Sequence, residues 1–189
     1  MQNTKKNTED WIIMGVDPGT LITGFGIIRI HLGQPHLLLM DHLMLNKFDN
    51  HPLRLKKIFE RSRELIRHYR PDEIALEAPF YGKNVQSMLK LGRAQGMVMA
   101  AALEHDIPVV EYSPKKVKMA VTGNGNASKQ QVAGMVRTLM NIGHLPDRLD
   151  ASDALAVALC HFFNRQGTQL NSRYTSWKNF VKNNPHRID

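Results

Sequence analysis

The order in which short apolar segments and longer helical patterns follow one another constrains the fold of this sequence more than any other feature. Three short β-rich segments come first, and turns of a few residues join them, which predicts an antiparallel meander. Helical periodicity then alternates with two more short apolar segments, which favours a mixed sheet flanked by helices, an α/β layer architecture. The predicted strands cover 11–16, 23–30, 37–45, 73–77 and 107–112; the predicted helices cover 55–69, 85–105, 127–141 and 151–163, with another starting at Pro114.

Length and cysteine content limit the classes of protein to which the chain can belong. The 189 residues are typical of one domain, which we assign to 11–163, between a disordered leader at 1–10 and a flexible basic tail at 164–189. A single cysteine, Cys160, excludes a disulfide framework. No apolar run has the roughly 18 residues of a membrane span, and the polar start does not resemble a signal peptide. We therefore expect a soluble, cytoplasmic protein that makes no membrane contact.

Positive charge indicates the kind of partner to expect. With 25 Lys and Arg against 17 Asp and Glu, the formal net charge is +8. An excess of this size favours polyanions, nucleic acid first, although many soluble proteins are basic for other reasons.

Four acids stand where strands and helices begin or end. Asp17 closes the first strand at a Pro-Gly turn, Glu77 ends an apolar strand, and Asp150 and Asp153 share one face at the start of an apolar helix. Taken singly, Asp17 is explained as a turn former, Glu77 as a surface acid, and either aspartate of the helix as a cap. Taken together, they converge if the two strands are neighbours and the last helix packs over their ends.

Converging carboxylates need a compensating cation. Two unit charges about 5 Å apart repel by roughly 3 kcal/mol at an effective dielectric constant of 20. Oxygen ligands select Mg²⁺, with Mn²⁺ as a substitute. We therefore hypothesise two metal ions per site, which would activate water and stabilise the leaving oxygen at a phosphodiester.

Six segments, in this order, resemble one known family. They are 13–26, beginning Ile-Met-Gly-Val-Asp-Pro-Gly-Thr; 76–84, Leu-Glu-Ala-Pro-Phe-Tyr-Gly-Lys-Asn; 88–96, Met-Leu-Lys-Leu-Gly-Arg-Ala-Gln-Gly; 117–118 with 128–129; and 150–153, Asp-Ala-Ser-Asp. The set resembles the RuvC family of bacterial Holliday-junction resolvases, the crossover junction endodeoxyribonucleases. The resemblance covers about 11–163. It implies a ribonuclease-H-like fold with a five-stranded sheet and a homodimer that makes paired, symmetric, Mg²⁺-dependent nicks in a four-way DNA junction during recombination and repair.

The resemblance also implies roles for single residues. Asp17, Glu77, Asp150 and Asp153 match the metal-binding acids, although some members have histidine in place of the third. Lys118 and Lys129 match basic positions near the scissile phosphates and complete the predicted catalytic set. Phe80 matches an aromatic implicated in opening the junction centre. A branch-migration complex is a further possible partner.

The same residues have explanations from the sequence alone. Lysines at the start of the helix after Ser113 favour phosphate, or form a solvated basic face. An aromatic pair in the loop after Glu77 suits stacking on unpaired bases, or folds back onto the core. The predicted DNA-binding residues are Phe80, Tyr81, Lys83, Asn84, Lys115, Lys116, Lys118 and Lys129.

Small residues recur every four positions in the second helix, at Gly92, Gly96 and Ala100. By default such a stripe packs on the protein's own sheet. The resemblance instead favours this helix as part of a dimer interface.

Three other classes of protein fit parts of the pattern. Asp17-Pro-Gly-Thr with Gly24 and Gly26 also looks like the first phosphate loop of actin-like ATPases, but 189 residues leave no room for the second lobe. A related ribonuclease-H-like nuclease could act on RNA–DNA hybrids, on transposon ends or in RNA processing. A non-catalytic DNA-binding protein would leave the four acids unexplained.

Overall fold

Ten elements in the described part of the chain build an α/β structure of the predicted type. This computed structural model describes residues 10–79, 84–143 and 150–172. The strands are β1 Trp11–Asp17, β2 Ile22–His31, β3 Gln34–Met44, β4 Glu73–Glu77 and β5 Val109–Tyr112. The helices are α1 His51–Tyr69, α2 Val85–Leu103, α3 Pro114–Thr122, α4 Lys129–Leu139 and α5 Asp150–Ser172.

The strands form one five-stranded sheet in the order β3-β2-β1-β4-β5. β1, β2 and β3 pair antiparallel, as the short turns predict, whereas β4 runs parallel to β1, and β5 runs parallel to β4. The parallel pairs require helical crossovers, which α1 and α2 supply. β1 and β4, which are far apart in the sequence, thereby become neighbours in the sheet.

Each face of the sheet has its own apolar core. Met14, Val16, Ile74 and Leu76 pack with α1 and α2 on one face. Ile13 and Ala75 pack with α3, α4 and α5 on the other. Because side chains alternate along a strand, Asp17 and Glu77 point to the same face as Ile13 and Ala75, the face that α5 covers.

Glycines let α5 approach this face closely. A Cβ at Gly15 would lie 2.2 Å from the backbone oxygen of Ala154, and one at Gly24 would lie 2.2 Å from that of Asp150. A Cβ at Gly26 would lie 2.6 Å from the backbone nitrogen of Leu155. The helix backbone therefore rests directly on β1 and β2, which fixes the height of its first turn above the sheet.

Local capping sets the helix starts, and it accounts for the differences at the starts of α1 and α4. α1 begins four residues earlier than predicted because the Asn50 side chain caps it and Pro52 fits its first turn. α3 begins at Pro114 behind Ser113, as predicted. α4 begins at Lys129, two residues late, behind a capping box of Ser128 and Gln131.

The predicted end of the last helix at 163 is wrong, since α5 continues to Ser172. Periodicity fails after residue 163, but extending a helix that is already formed costs little. None of the helices in the described part of the chain is both long and apolar enough to cross a bilayer.

Candidate active site

Two of the predicted acids lie side by side at the carboxyl ends of neighbouring strands. Val16 of β1 pairs with Leu76 of β4, so Asp17 and Glu77 follow in adjacent positions, one strand spacing of about 4.8 Å apart. Both point to the face that α5 covers. The condition set by the sequence, neighbouring strands with the last helix over their ends, is met.

The first turn of α5 brings the third acid to the same place. Asp153 is only 9% exposed and lines a cleft of about 570 Å³ together with Asp17 and Glu77. Asp150 does not line this cleft. Its backbone oxygen lies over Gly24, the residue of β2 that pairs with Asp17, and its charge still acts on Asp17 and Asp153.

Three lysines line the same cleft as the acids. Lys115 and Lys118 reach it from α3, and Lys129 reaches it from the first turn of α4. Lys129 Nζ donates to Asp153 Oδ2 at 2.7 Å. Acids and lysines in one cleft suit a phosphodiester whose charge must be balanced while it is held near carboxylates.

Burial and mutual repulsion raise the proton affinity of the acids. Burial, followed by the charges of Asp17 and Asp153, raises the pKa of Glu77 to about 8. Burial and the Asp153 charge raise the pKa of Asp17 to about 6, against the opposing effect of Lys129. Burial also raises the pKa of Asp153, although its hydrogen bond from Lys129 opposes this. Such shifts are typical of functional sites.

The arrangement and the chemistry of the acids show whether a cation fits the cleft. Among residues 10–79, 84–143 and 150–172, no three acidic, histidine or cysteine side chains converge closely enough to form a ready-made metal site. The carboxylates of Asp17, Glu77 and Asp153 nevertheless suit a hard divalent ion, which binds oxygen ligands. A bound cation would compensate their charge and so favour their ionised forms over the protonated ones. Lys129 supplies part of this compensation through Asp153.

Other predicted site residues are placed elsewhere. Lys116 extends over the ring of Tyr112, with its Nζ 4.9 Å from the ring centroid, and does not line the cleft. Asn84 caps α2, where its side chain accepts a hydrogen bond from Ser87 N. The predictions for Phe80, Tyr81 and Lys83 lie outside the described residues.

The sequence-based prediction missed Gly125 and Asn126, which line the cleft from the loop between α3 and α4. The sequence Thr-Gly-Asn-Gly-Asn at 122–126 predicts only a flexible loop. The position of this loop between two helices that carry lysines was the signal that could have identified Gly125 and Asn126 as cleft residues.

A mixed five-stranded sheet in this order, with acids at the ends of its first and fourth strands beneath a closing helix, defines a ribonuclease-H-like nuclease. Residues 13–161 match the family model described as crossover junction endodeoxyribonuclease RuvC. This chain belongs to the RuvC family.

Relatives support the assignment over nearly the whole chain. The RuvC of Christiangramia forsetii is 58% identical over 177 residues, covering 94% of this chain and 92% of the relative. That of Porphyromonas gingivalis is 54% identical over 183 residues, covering 94% and 96%. The structure of Thermus thermophilus RuvC in complex with Holliday junction substrate superposes with a TM-score of 0.76 at 33% identity, covering 84% of this chain and 97% of that one. Membership of this family implies the use of a divalent metal ion.

Proposed function

We propose that this protein resolves Holliday junctions as a crossover junction endodeoxyribonuclease, nicking two strands symmetrically by Mg²⁺-dependent phosphodiester hydrolysis in recombination and repair. The observation that carries the proposal is the single cleft that Asp17, Glu77 and Asp153 line together with three lysines. The T. thermophilus relative was solved with a Holliday junction as its substrate, which supports the same substrate here.

The chain's own residues suit the chemistry of a phosphodiester. Lys118 and Lys129 line the same cleft as the carboxylates and would balance charge that develops on the phosphate. Lys115 adds charge at the amino terminus of α3, where backbone N–H groups also favour phosphate. An acid of the cleft would orient the attacking water for in-line displacement.

Asp17, Glu77 and Asp153 are the residues we propose to hold the metal, with Asp150 contributing from the edge of the cleft. Mg²⁺ fits because it binds through a few carboxylates and substrate phosphate, and Mn²⁺ meets the same requirements. When bound, two such ions would supply Lewis-acid stabilisation of both the attacking and the leaving oxygen.

A dimer is the second part of the proposal, and α2 supports it. Gly92 and Gly96 do not pack on the protein's own sheet, since a Cβ at either position would meet nothing within 4 Å. The default expectation for this stripe is therefore wrong. Val85, Leu89 and Leu103 lie on the same helical face and are also exposed. A two-fold dimer through this face would present two equivalent sites to a symmetric junction.

We place the reaction in the cytoplasm, because thiols stay reduced there and the sequence has a single cysteine. A branch-migration complex is a further partner that we propose. Stacking of Phe80 and Tyr81 on junction bases also stays a prediction.

The decisive experiment incubates the purified protein with a synthetic four-way junction, a linear duplex of matched sequence and an RNA–DNA hybrid. We expect paired nicks confined to the junction with Mg²⁺ and none with EDTA. Cleavage of the hybrid in preference to the junction would favour another ribonuclease-H-like nuclease.

Two variants test the roles of the acids in the same assay. Asp17→Asn and Glu77→Gln should keep junction binding and lose cleavage, because each removes a charged oxygen ligand while preserving side-chain size. A fully active Glu77→Gln protein would refute the metal-binding role of Glu77. Calorimetric titration that detects no divalent ion, with or without DNA, would refute the metal site as a whole.

A further inference from the structure

A second group of polar side chains is buried below the cleft, on the same face of the sheet. Its centre is His161 of α5, which is 1% exposed. Tyr112 at the end of β5 lies with its hydroxyl 2.8 Å from His161 Nδ1, and Glu73 at the start of β4 contacts His161 Nε2 through Oε2. Arg165, one turn further along α5, donates to Glu73 Oε1 at 2.5 Å. None of these residues lines the cleft.

The partners fix how protons are arranged around His161. The Glu73 carboxylate accepts from Arg165 with one oxygen, so its other oxygen accepts from His161 Nε2–H. In the neutral imidazole His161 Nδ1 is then the acceptor, and the Tyr112 hydroxyl donates to it. Both ring nitrogens of His161 are thereby paired with the imidazole neutral. Burial lowers the pKa of His161, which favours this neutral form, although Glu73 opposes the shift.

The contacts join the elements that carry the active site. Glu73 and Glu77 are the two ends of β4, and Tyr112 pairs in register with Glu77. Ser113, the next residue after Tyr112, caps the helix that carries Lys115 and Lys118. His161 lies eight residues after Asp153 on α5, which is about 12 Å along the helix axis.

The first strand is tied in through aromatic contacts. The Trp11 ring lies 5.7 Å from the His161 ring, and the Arg165 guanidinium lies 5.3 Å from the centroid of the Trp11 ring. Asp17 is at the other end of this strand. The cluster of Trp11, Glu73, Tyr112, His161 and Arg165, whose last member has a side chain 54% exposed, therefore contacts all three strands that lead to the cleft, from the helix that closes it.

We propose that His161 is a positioning residue for the cleavage reaction. It fixes α5 along β4 and β5, so that Asp153 stands opposite Glu77 and the lysines of α3 face both. Directional hydrogen bonds suit this task because they form only within a narrow range of distances and angles. The inference rests on the proposed junction cleavage.

The test compares His161→Leu, which removes both hydrogen bonds, with His161→Gln, whose side-chain nitrogen can still donate to Glu73. Phe162→Leu is the matched control, because Phe162 is buried next to His161 on the same helix and its side chain has no hydrogen-bonding group. Single-turnover cleavage, the Mg²⁺ concentration for half-maximal cleavage, junction affinity in EDTA and thermal unfolding are measured for each.

His161→Leu should lower the cleavage rate about 10- to 100-fold, the range seen when groups that orient metal ligands are removed, and should raise the Mg²⁺ requirement. Junction affinity in EDTA should be unchanged. His161→Gln should recover part of the rate, and Phe162→Leu should lose stability while keeping both rate and Mg²⁺ requirement. Equal rates in His161→Leu and wild type, or equal losses in His161→Leu and Phe162→Leu, would overturn the proposal.

Two further measurements separate the possible failures. If His161→Leu does not fold, Tyr112→Phe removes only the hydroxyl and should lower the rate without changing junction affinity. Nitrogen NMR of the wild type should show His161 protonated at Nε2 and not at Nδ1; the opposite tautomer would contradict the network. Absence of junction cleavage by the wild type would instead contradict the proposed function, and the NMR result would still decide whether the network exists.

Discussion

At the scale of single residues, the site concentrates negative charge where water cannot compensate it. Asp17 and Glu77 take up protons more readily than ordinary carboxyls because burial and neighbouring acids both disfavour their ionised forms. This arrangement destabilises the folded state, because water solvates each carboxylate in the unfolded chain. The free energy of unfolding should therefore depend on pH.

The sign follows from proton binding. Unfolded Asp and Glu titrate near 3.8 and 4.5, whereas in the folded protein the pKa of Asp17 is about 6 and that of Glu77 about 8. Between about pH 4 and 8 the folded protein holds more protons than the unfolded chain. Its free energy of unfolding therefore falls as pH rises through this window.

We expect Glu77→Gln to remove much of this pH dependence. In EDTA, the variant should gain about 1–3 kcal/mol relative to wild type when the pH rises from 5 to 8, since each pKa unit corresponds to about 1.4 kcal/mol. Urea denaturation of both proteins at several pH values measures the difference. Parallel stability profiles for variant and wild type would show that Glu77 ionises freely in the cleft.

What the sequence could predict at this scale was the identity of the acids, because each stands at an element boundary. The contrast between Asp153 and Asp150 was not predictable. Both occupy one face of α5, but only the distance of the helix from the sheet decides that Asp153 lines the cleft and that Asp150 lies over Gly24. The buried cluster around His161 was also hidden, since Glu73 and His161 are 88 residues apart.

At the scale of elements, the contact of α5 with β1 and β2 determines the geometry of the site. Short strands and their order could be predicted from turn residues and apolar runs. The close helix–sheet contact could not, because Gly15, Gly24 and Gly26 are indistinguishable in the sequence from glycines that serve turns. Only the pairing of β1 with β2 brings the three onto one face beneath α5.

A substitution at the centre of this contact tests its importance. In Gly15→Ala the new methyl group would meet the backbone of Ala154 and Ala158, so we expect a loss of about 1–3 kcal/mol in the free energy of unfolding. Gly134→Ala is the control, because a Cβ there meets nothing within 4 Å and alanine favours a helix by about 1 kcal/mol over glycine. Urea denaturation should show opposite signs for the two variants; equal effects would mean that α5 can move away from the sheet at little cost.

The exposed face of α2 leads to a prediction about assembly. Leu89 is 49% exposed beside the open positions Gly92 and Gly96, so Leu89→Glu would bring two negative charges into an apolar two-fold contact. We expect a dimer in the wild type and a monomer in this variant by light scattering after gel filtration. Leu139→Glu, at an exposed leucine of α4, should leave the wild-type state unchanged. A monomeric wild type would exclude the dimer.

At the scale of the whole molecule, opposite charges are separated by depth. The net charge of +8 already predicted a polyanionic partner, but composition cannot say where the excess lies. In the pair of Lys129 and Asp153, the lysine side chain is 60% exposed and the aspartate side chain 11%. Lys115 and Lys118 line the same cleft. A phosphate backbone approaching this surface would meet cations first and the carboxylates only at full depth.

Binding of a four-way junction should therefore weaken steeply with salt. Each neutralised phosphate contributes about −0.9 to the slope of log affinity against log salt, so Lys115→Gln should make the slope shallower by about 0.9. Lys56→Gln is the matched control. Lys56 belongs to α1, which packs on the opposite face of the sheet, and it forms an ion pair with Glu60. Fluorescence anisotropy of a labelled junction in EDTA measures both slopes. An affinity insensitive to salt, or an equal change in both variants, would mean that the lysines of the cleft do not contact the DNA backbone and that the excess charge of this protein serves another purpose.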